Sequence, residues 1–257
     1  MRNSERVRFA GGNQAFLSGI VDSPAGDPLV VAIFAHCFTC TKDLKAIVKI
    51  SRRLAEQGFQ VLRFDFTGLG DSQGDFSDTN FSGNIRDALA AAKFMRENYQ
   101  PPRLLIGHSL GGAAMMAAAS QIPEVGAIAT LASPSDTQHL AELLTLMNRD
   151  IIDKGQGEVT IGGRTYLIKR QMIDDLKSFD LPTLIRQSNK PQLILHSPID
   201  RTLALHHATR LAEMVGQQAS LVSLQEADHL LTSDQRDVEY VADLIATWAK
   251  RNLDLTN

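Results

Sequence analysis

The chain predicts an α/β fold built on a mainly parallel sheet with helices on both faces, and three observations carry that expectation. Leu29-Val30-Val31-Ala32-Ile33-Phe34-Ala35 is a continuous apolar run. It is too short to span a membrane and too uninterrupted for a half-exposed strand, so it belongs at the centre of a sheet, buried on both faces. Strand-like runs alternate with helical periodicity over most of the chain, the pattern of βαβ units. Gly107-His108-Ser109-Leu110-Gly111 follows the run Arg103 to Ile106 and precedes the small, helix-forming residues Gly112 to Ala119. A buried strand therefore turns sharply into a helix at a serine.

In chain order, Arg6 to Phe9 and Ala15 to Val21 read as two strands around Gly11-Gly12-Asn13, an opening hairpin. After the central strand, Asp43 is placed to cap a helix that carries Leu44, Ile47, Val48 and Leu54 on one face. That helix ends at Gly58, and Phe59 to Phe64 returns as a strand. Ile85, Ala88, Leu89 and Ala92 mark the buried face of the next helix, ahead of the strand that leads to Ser109. Val125 to Leu131, Gln192 to Leu195 and Leu221 to Leu224 supply later strands, and Val241, Leu244, Ile245 and Trp248 give the last helix an apolar stripe for core packing. Between Pro134 and Lys190 the alternation breaks down, because the stretch is longer than one crossover helix needs. Residues 136–190 are expected to form a cap inserted into a single domain spanning 1–257. Its parts are a helix from about Thr137 to Ile152, two β runs (Glu158 to Ile161 and Arg164 to Ile168) turned by Gly162-Gly163, and helical stretches from Met172 to Phe179 and Pro182 to Gln187. Leu143, Met147, Tyr166, Met172 and Phe179 are more apolar residues than a surface excursion needs, so some should wall a cleft.

Composition narrows the function. At 257 residues the chain can bury a substantial core, and no Pro/Ser/Gly-rich linker divides it. A net charge of −3, with acidic and basic residues interspersed, leaves no electrostatic footprint for nucleic acid or anionic lipid. No apolar stretch approaches membrane-spanning length, and the polar start Met1-Arg2-Asn3-Ser4-Glu5-Arg6 lacks a signal peptide's apolar segment. A cytoplasmic protein with no membrane partner is expected. Cys37 and Cys40 are too few for a disulfide scaffold and suit a reducing compartment. They are read as reduced packing residues, with a redox-sensitive C-x-x-C pair as the alternative; two cysteines alone cannot complete a zinc site.

On the turn at Ser109, glycines two positions before and two after leave room for the neighbouring strand and helix, and the hydroxyl projects into a cleft. The helix N-terminus beneath favours negative charge, and the Leu110 N–H is placed to meet an oxyanion on an attacked carbonyl. Serine is a poor nucleophile until a base takes its proton, so an acid and a histidine should follow in the order Ser, Asp or Glu, His. His229, in Glu226-Ala227-Asp228-His229, lies beyond the strand that ends at Leu224, at the carboxyl edge where open sheets place their ligands. Asp200, after the strand Gln192 to Leu195, is the expected acid, accepting the Nδ1 proton of His229 so that Nε2 faces Ser109. Asp136 is the competing acid, while Asp228 stands too near its own histidine to orient it. His36 and His108 are expected to brace loops, His196 to be structural and His139 to lie exposed in the cap. Adjacent His206 and His207 should point about 100° apart on a helix, a poor metal pair. This chemistry needs neither metal nor organic cofactor. It implies hydrolysis of a small-molecule carboxylic ester, or a thioester or amide, through an acyl-Ser109 intermediate. The competing reading is a thiol-redox or partner-binding module in which Cys37 and Cys40 carry the function and the triad is vestigial.

Together with the serine pentapeptide, Ala35-His36-Cys37-Phe38-Thr39-Cys40 and Asp65-Phe66-Thr67-Gly68-Leu69-Gly70-Asp71-Ser72 resemble the α/β-hydrolase family, over essentially the whole chain. The resemblance implies the α/β-hydrolase fold and makes Phe38 the second oxyanion donor, matching the family's His-Gly-aromatic loop. Cys37 departs from it, standing where glycine is usual, and its side chain could shift the loop or enter the pocket. The Asp65 loop matches the family's Asp-x-x-Gly-x-Gly-x-Ser turn and takes no catalytic part. Dehalogenases and epoxide hydrolases of this fold generally carry Asp at the nucleophile, and Ser109 argues against them. The cap hairpin and the Phe38 loop resemble feruloyl and cinnamoyl esterases. Cys37-Phe38-Thr39-Cys40 with the run Arg63 to Gly70 looks most like the hydrolase half of hydrolase-OsmC fusion proteins, and no OsmC-like half is expected after Trp248.

Overall fold

The apolar runs become the strands of one sheet. The computed structural model describes residues 3–12 and 15–255. Strands β1 (Asn3–Ala10) and β2 (Phe16–Ser23) pair antiparallel from Asn3↔Ser23 to Ala10↔Phe16. Asn13, in the expected turn between them, lies outside the described residues. Strand β3 (Val30–Ala35) is buried at every position. Leu29, expected within it, is 55% exposed and stands just outside, its N–H donating to the Gly58 carbonyl.

Helix α1 (Lys45–Glu56) is not capped by Asp43. Leu44 occupies the N-cap position without a side-chain bond, and the Asp43 carboxylate instead meets Arg63 at 3.0 Å and Lys42 at 3.1 Å. Strand β4 (Phe59–Phe64) follows, then α2 (Phe81–Asn98), whose cap is Asn80, accepting from the Gly83 N–H at 2.8 Å. Next come β5 (Leu104–His108), α3 (Leu110–Ala118) and β6 (Ala127–Leu131).

Between β6 and β9 the chain makes its excursion. The expected single helix is broken into α4 (Gln138–Met147) and the short α5 (Asp150–Asp153). Asn148 breaks it, adopting extended backbone while its side chain accepts from the Asp150 N–H and donates to the Glu158 carbonyl, both at 2.9 Å. Strands β7 (Gln156–Ile161) and β8 (Arg164–Lys169) form the hairpin. Its turn residues Gly162 and Gly163 have φ of 58° and 77°, the left-handed pair that a two-residue hairpin needs. Helices α6 (Arg170–Ser178) and α7 (Leu181–Gln187) return the chain to β9 (Gln192–His196), followed by α8 (His206–Val215), β10 (Ala219–Ser223) and α9 (Gln235–Asn252).

Among the described residues the main sheet has the order β1-β2-β4-β3-β5-β6-β9-β10. From β4 to β10 the strands run parallel, and β2 joins β4 antiparallel. Alternation within β3 divides the core into two layers. Val31, Ile33 and Ala35 pack with α2 and α3, while Val30, Ala32 and Phe34 pack with α1 and α9. The excursion has no core of its own, since Leu140, Leu144, Val159 and Met172 join the α2–α3 layer. Register aligns the strand ends: Ala35 pairs with Gly107, Gly107 with Thr130 and Leu131 with Leu195. The loops after β3, β5, β6 and β9 therefore leave the sheet at one edge. No helix among the described residues is long and apolar enough to cross a membrane.

Candidate active site

Ser109 joins β5 to α3 with φ 53° and ψ −126°, a backbone that a side-chain-bearing residue rarely adopts. Its N–H is held by the Leu131 carbonyl of the neighbouring strand at 2.8 Å. The flanking glycines allow the turn. A Cβ on Gly107 would stand 2.4 Å from the Gly112 Cα, and one on Gly111 would stand 2.2 Å from the His36 carbonyl oxygen. The first turn of α3 carries no acidic residue, so the positive end of that helix is left for whatever sits above Ser109.

The histidine loop is folded by Asp228, which accepts from the N–H groups of Thr232 at 2.6 Å and Ser233 at 2.8 Å. Burial works against its charge, but these bonds win and hold its pKa down at about 2. His108 Nε2–H donates to the His229 carbonyl at 2.7 Å. Burial, reinforced by His229, depresses the His108 pKa to about 3, so this brace stays neutral. His229 Nδ1 lies 2.7 Å from Asp200 Oδ2, and the other oxygen of Asp200 accepts from the Thr202 and Leu203 N–H groups at 2.8 and 2.9 Å. Burial pushes the Asp200 carboxyl up; the His229 bond and the amides outweigh it and hold it below the usual carboxylate range. His196 fixes the same loop by donating from Nε2 to the Leu203 carbonyl at 2.8 Å.

Asp136 has other partners: the His139 N–H at 3.3 Å and Arg210 at 3.0 Å. The His139 bond is the main cause holding its carboxyl far below the ordinary range. His139 is not exposed as expected but half-buried in the cleft wall, its ring centroid 4.9 Å from that of His207. The His206 and His207 rings do not diverge, their centroids being 4.2 Å apart, and His207 Nδ1 accepts from the Ser135 N–H at 3.2 Å.

The loop after β3 is pinned at both ends. His36 Nδ1–H donates to the Cys37 carbonyl at 2.8 Å, and its Nε2 accepts from the Phe66 N–H at 3.2 Å. At the far end, Asp65 takes the Lys42 N–H at 2.6 Å and the Lys42 ammonium at 2.8 Å, with Asp71 on the same ammonium at 2.7 Å. Burial opposes the Lys42 charge, but the carboxylates of Asp65, Asp71 and Asp43 prevail and raise its pKa well above that of ordinary lysine. The cysteines expected to be reduced are joined as a disulfide. The physical reason is the turn itself: the Cys40 N–H donates to the Cys37 carbonyl at 3.1 Å, bringing the Cα atoms to 5.2 Å, within bonding reach.

Above the sheet edge lies a cleft of about 680 Å³. Phe38, Ser109, Leu110 and His229 share its wall, and Asp200 stands behind His229. The excursion supplies the opposite wall, with Leu143, Met147 and Tyr166 facing the cleft. Met172 and Phe179 do not: Met172 is 2% exposed in the core, and Phe179 meets Phe81 edge-on at 4.8 Å. The sequence reading missed Leu140 and Leu144, which line the cleft beside Leu143 and Met147. Their spacing, i, i+3, i+4 and i+7 on α4, is the signal that could have found them. It also missed Arg164, for which no apolar periodicity exists.

Residues 40–150 match the family described as serine aminopeptidase, S33. The mouse mitochondrial palmitoyl-protein thioesterase ABHD10 is 30% identical over 184 residues, covering 69% of this chain and 56% of that protein. The chain thus spans little more than half of that curated relative. The esterase domain of a Rhodothermus marinus protein is 39% identical, with a TM-score of 0.78, covering 97% of this chain and 98% of that one. The chain belongs to the α/β-hydrolase family. Est1E from Butyrivibrio proteoclasticus, solved with ferulic acid, shares the α/β-hydrolase fold at a TM-score of 0.83 and 21% identity, over 96% of this chain and 99% of that one. This α/β-hydrolase gathers Ser109, Phe38, Leu110 and His229 around one cleft and sets Asp200 against His229; Asp136 is not among them.

Proposed function

We propose that the protein is a serine hydrolase that cleaves a small-molecule carboxylic ester through an acyl-Ser109 intermediate. The observation that carries the reading is the strained Ser109 turn opening into the same cleft as His229, whose Nδ1 is 2.7 Å from Asp200. His229 takes the Ser109 proton as Oγ attacks the ester carbonyl, and Asp200 holds the tautomer and steadies the imidazolium that forms. The Phe38 and Leu110 N–H groups meet the charge on the tetrahedral intermediate. The alcohol leaves with the proton from His229, and a water activated by the same histidine then releases the acid.

The largely apolar wall from α4 and the hairpin favours an acyl group of medium length or an aromatic acid, and its exclusion of water strengthens the oxyanion bonds. The ferulic acid held by Est1E agrees with an aromatic acid. A thioester is the second reading, favoured by the likeness to mouse ABHD10, named a palmitoyl-protein thioesterase.

Ser109→Ala and His229→Ala should each lower kcat on an activated aryl ester by a factor on the order of 10⁶. Retention of more than about a hundredth of wild-type kcat in Ser109→Ala would rule out the acyl-enzyme route.

A further inference from the structure

We propose that Cys37–Cys40 is a redox-active disulfide that sets the turnover of the hydrolase: closed, it holds the Phe38 amide in place, and opened by a dithiol reductant, it frees that amide and slows catalysis. The inference rests on the reading of Phe38 as an oxyanion donor.

The disulfide closes a ring that contains only Phe38 and Thr39 between its cysteines. Beyond the ring, Lys42 is fixed by Asp65 on its N–H and ammonium, and within it the Cys37 carbonyl, in the same peptide unit as the Phe38 N–H, accepts from His36 Nδ1–H at 2.8 Å. Freedom gained on opening the bond is therefore confined to the segment that carries the donor. Within it, Thr39 sits at φ 64°, a β-branched residue in the left-handed region. Such a conformation persists only where its surroundings over-determine it. The disulfide, the turn bond from the Cys40 N–H to the Cys37 carbonyl at 3.1 Å and the bond from Tyr166 Oη to the Thr39 carbonyl at 3.2 Å hold it. Without the disulfide, Thr39 can relax to negative φ and open the turn, leaving the peptide that carries the Phe38 N–H on the His36 bond alone.

Access and the order of bond exchange follow from burial. Cys37 is 4% exposed, whereas Cys40 is half-buried, and both line the cleft. A reductant thiolate attacks Cys40 Sγ, the disulfide breaks, and Cys37 leaves as thiolate and takes a proton. The second thiol of the reductant attacks its own sulfur in the mixed disulfide, releasing the Cys40 thiolate, which is protonated. Two electrons pass to the cysteines, and the reductant departs as its disulfide.

The test compares the oxidised chain, the same chain reduced with a phosphine and desalted without oxygen, and Cys40→Ser, with free thiols counted and kcat and KM measured on an aryl ester. Reduction should release both thiols and lower kcat at least about tenfold, part of the cost of losing one oxyanion donor, with KM changed less than about twofold. Reoxidation should restore the rate, and Cys40→Ser should be slow and indifferent to reductant. A reduced enzyme that shows both thiols yet keeps kcat within about twofold overturns the proposal, and so does a pair that will not oxidise. The native chain read in both redox states suffices if Cys40→Ser does not fold. An oxidised enzyme that neither turns over ester nor reacts at Ser109 with a fluorophosphonate defeats the acyl-enzyme reading instead, and this inference falls with it.

Discussion

Gly111→Ala should impair catalysis by parting the two proposed oxyanion donors. The added Cβ would lie 2.2 Å from the His36 carbonyl oxygen and 2.7 Å from that of Ala35, where real contacts do not fall below 3.0 Å. Both clashing atoms are backbone, so no rotamer change relieves them, and α3 must withdraw from the end of β3 by most of an ångström. Leu110 rides on α3, and Phe38 lies on the loop that β3 launches, so the withdrawal opens the gap between their N–H groups. Misplacement by about 1 Å near a reacting centre costs about 10²-fold, and loss of one oxyanion donor costs about 10²–10³ in kcat. The expected result is a fall in kcat/KM on the order of 10²-fold, carried mainly by kcat. Overpacking of this kind costs about 1–3 kcal/mol, a load that a domain of ordinary stability survives. Initial rates on an aryl acetate, with thermal unfolding followed by circular dichroism on the same samples, make the assay. A variant that melts close to wild type and keeps kcat/KM within about threefold would refute the argument that this close approach sets the donor spacing.

Asp200→Asn should lower kcat by about 10⁴-fold while Asp136→Asn changes it little; the reverse pattern, measured on one ester, would move the acid to Asp136. The double variant Leu143→Ala/Met147→Ala should cut the octanoyl-to-acetyl ratio of kcat/KM about tenfold, and an unchanged ratio would mean that α4 does not set acyl preference. His108, with its pKa lowered from 6.5 to about 3, binds its proton less readily folded than unfolded. Its contribution to stability is fully present above pH 6.5 and is lost as pH falls from there towards about 3. Urea unfolding at pH 8 and pH 5 should therefore show a wild-type loss larger by about 2 kcal/mol than that of His108→Gln, and equal losses would count against a buried neutral imidazole.

Much of the architecture was legible because burial on both faces leaves a distinct trace. The six buried residues of β3 admit no alternation, and a serine between paired glycines after such a strand marks its exit. Asp200 and His229 could be nominated because each follows a strand, and parallel register sends those strand ends to one edge. Contacts made by distant side chains were illegible. Asp43 looks like a cap until Arg63 of β4 and Lys42 claim it, and His139 looks exposed until Asp136 and His207 enclose it. The helix break at Asn148 depends on the hairpin residue Glu158, whose carbonyl no local pattern reveals. The disulfide escaped because two cysteines three positions apart bond only when the chain between them turns, and that turn uses a threonine at positive φ.

A covalent acyl group on Ser109 can be read directly by intact-protein mass spectrometry during turnover of a slow aryl ester. One added acyl mass per chain is expected, located by peptide mapping on Ser109, absent from Ser109→Ala and formed far more slowly in His229→Ala. Steady hydrolysis with no acyl adduct under rapid acid quench, or an adduct of equal yield in Ser109→Ala, would contradict the acyl-enzyme route.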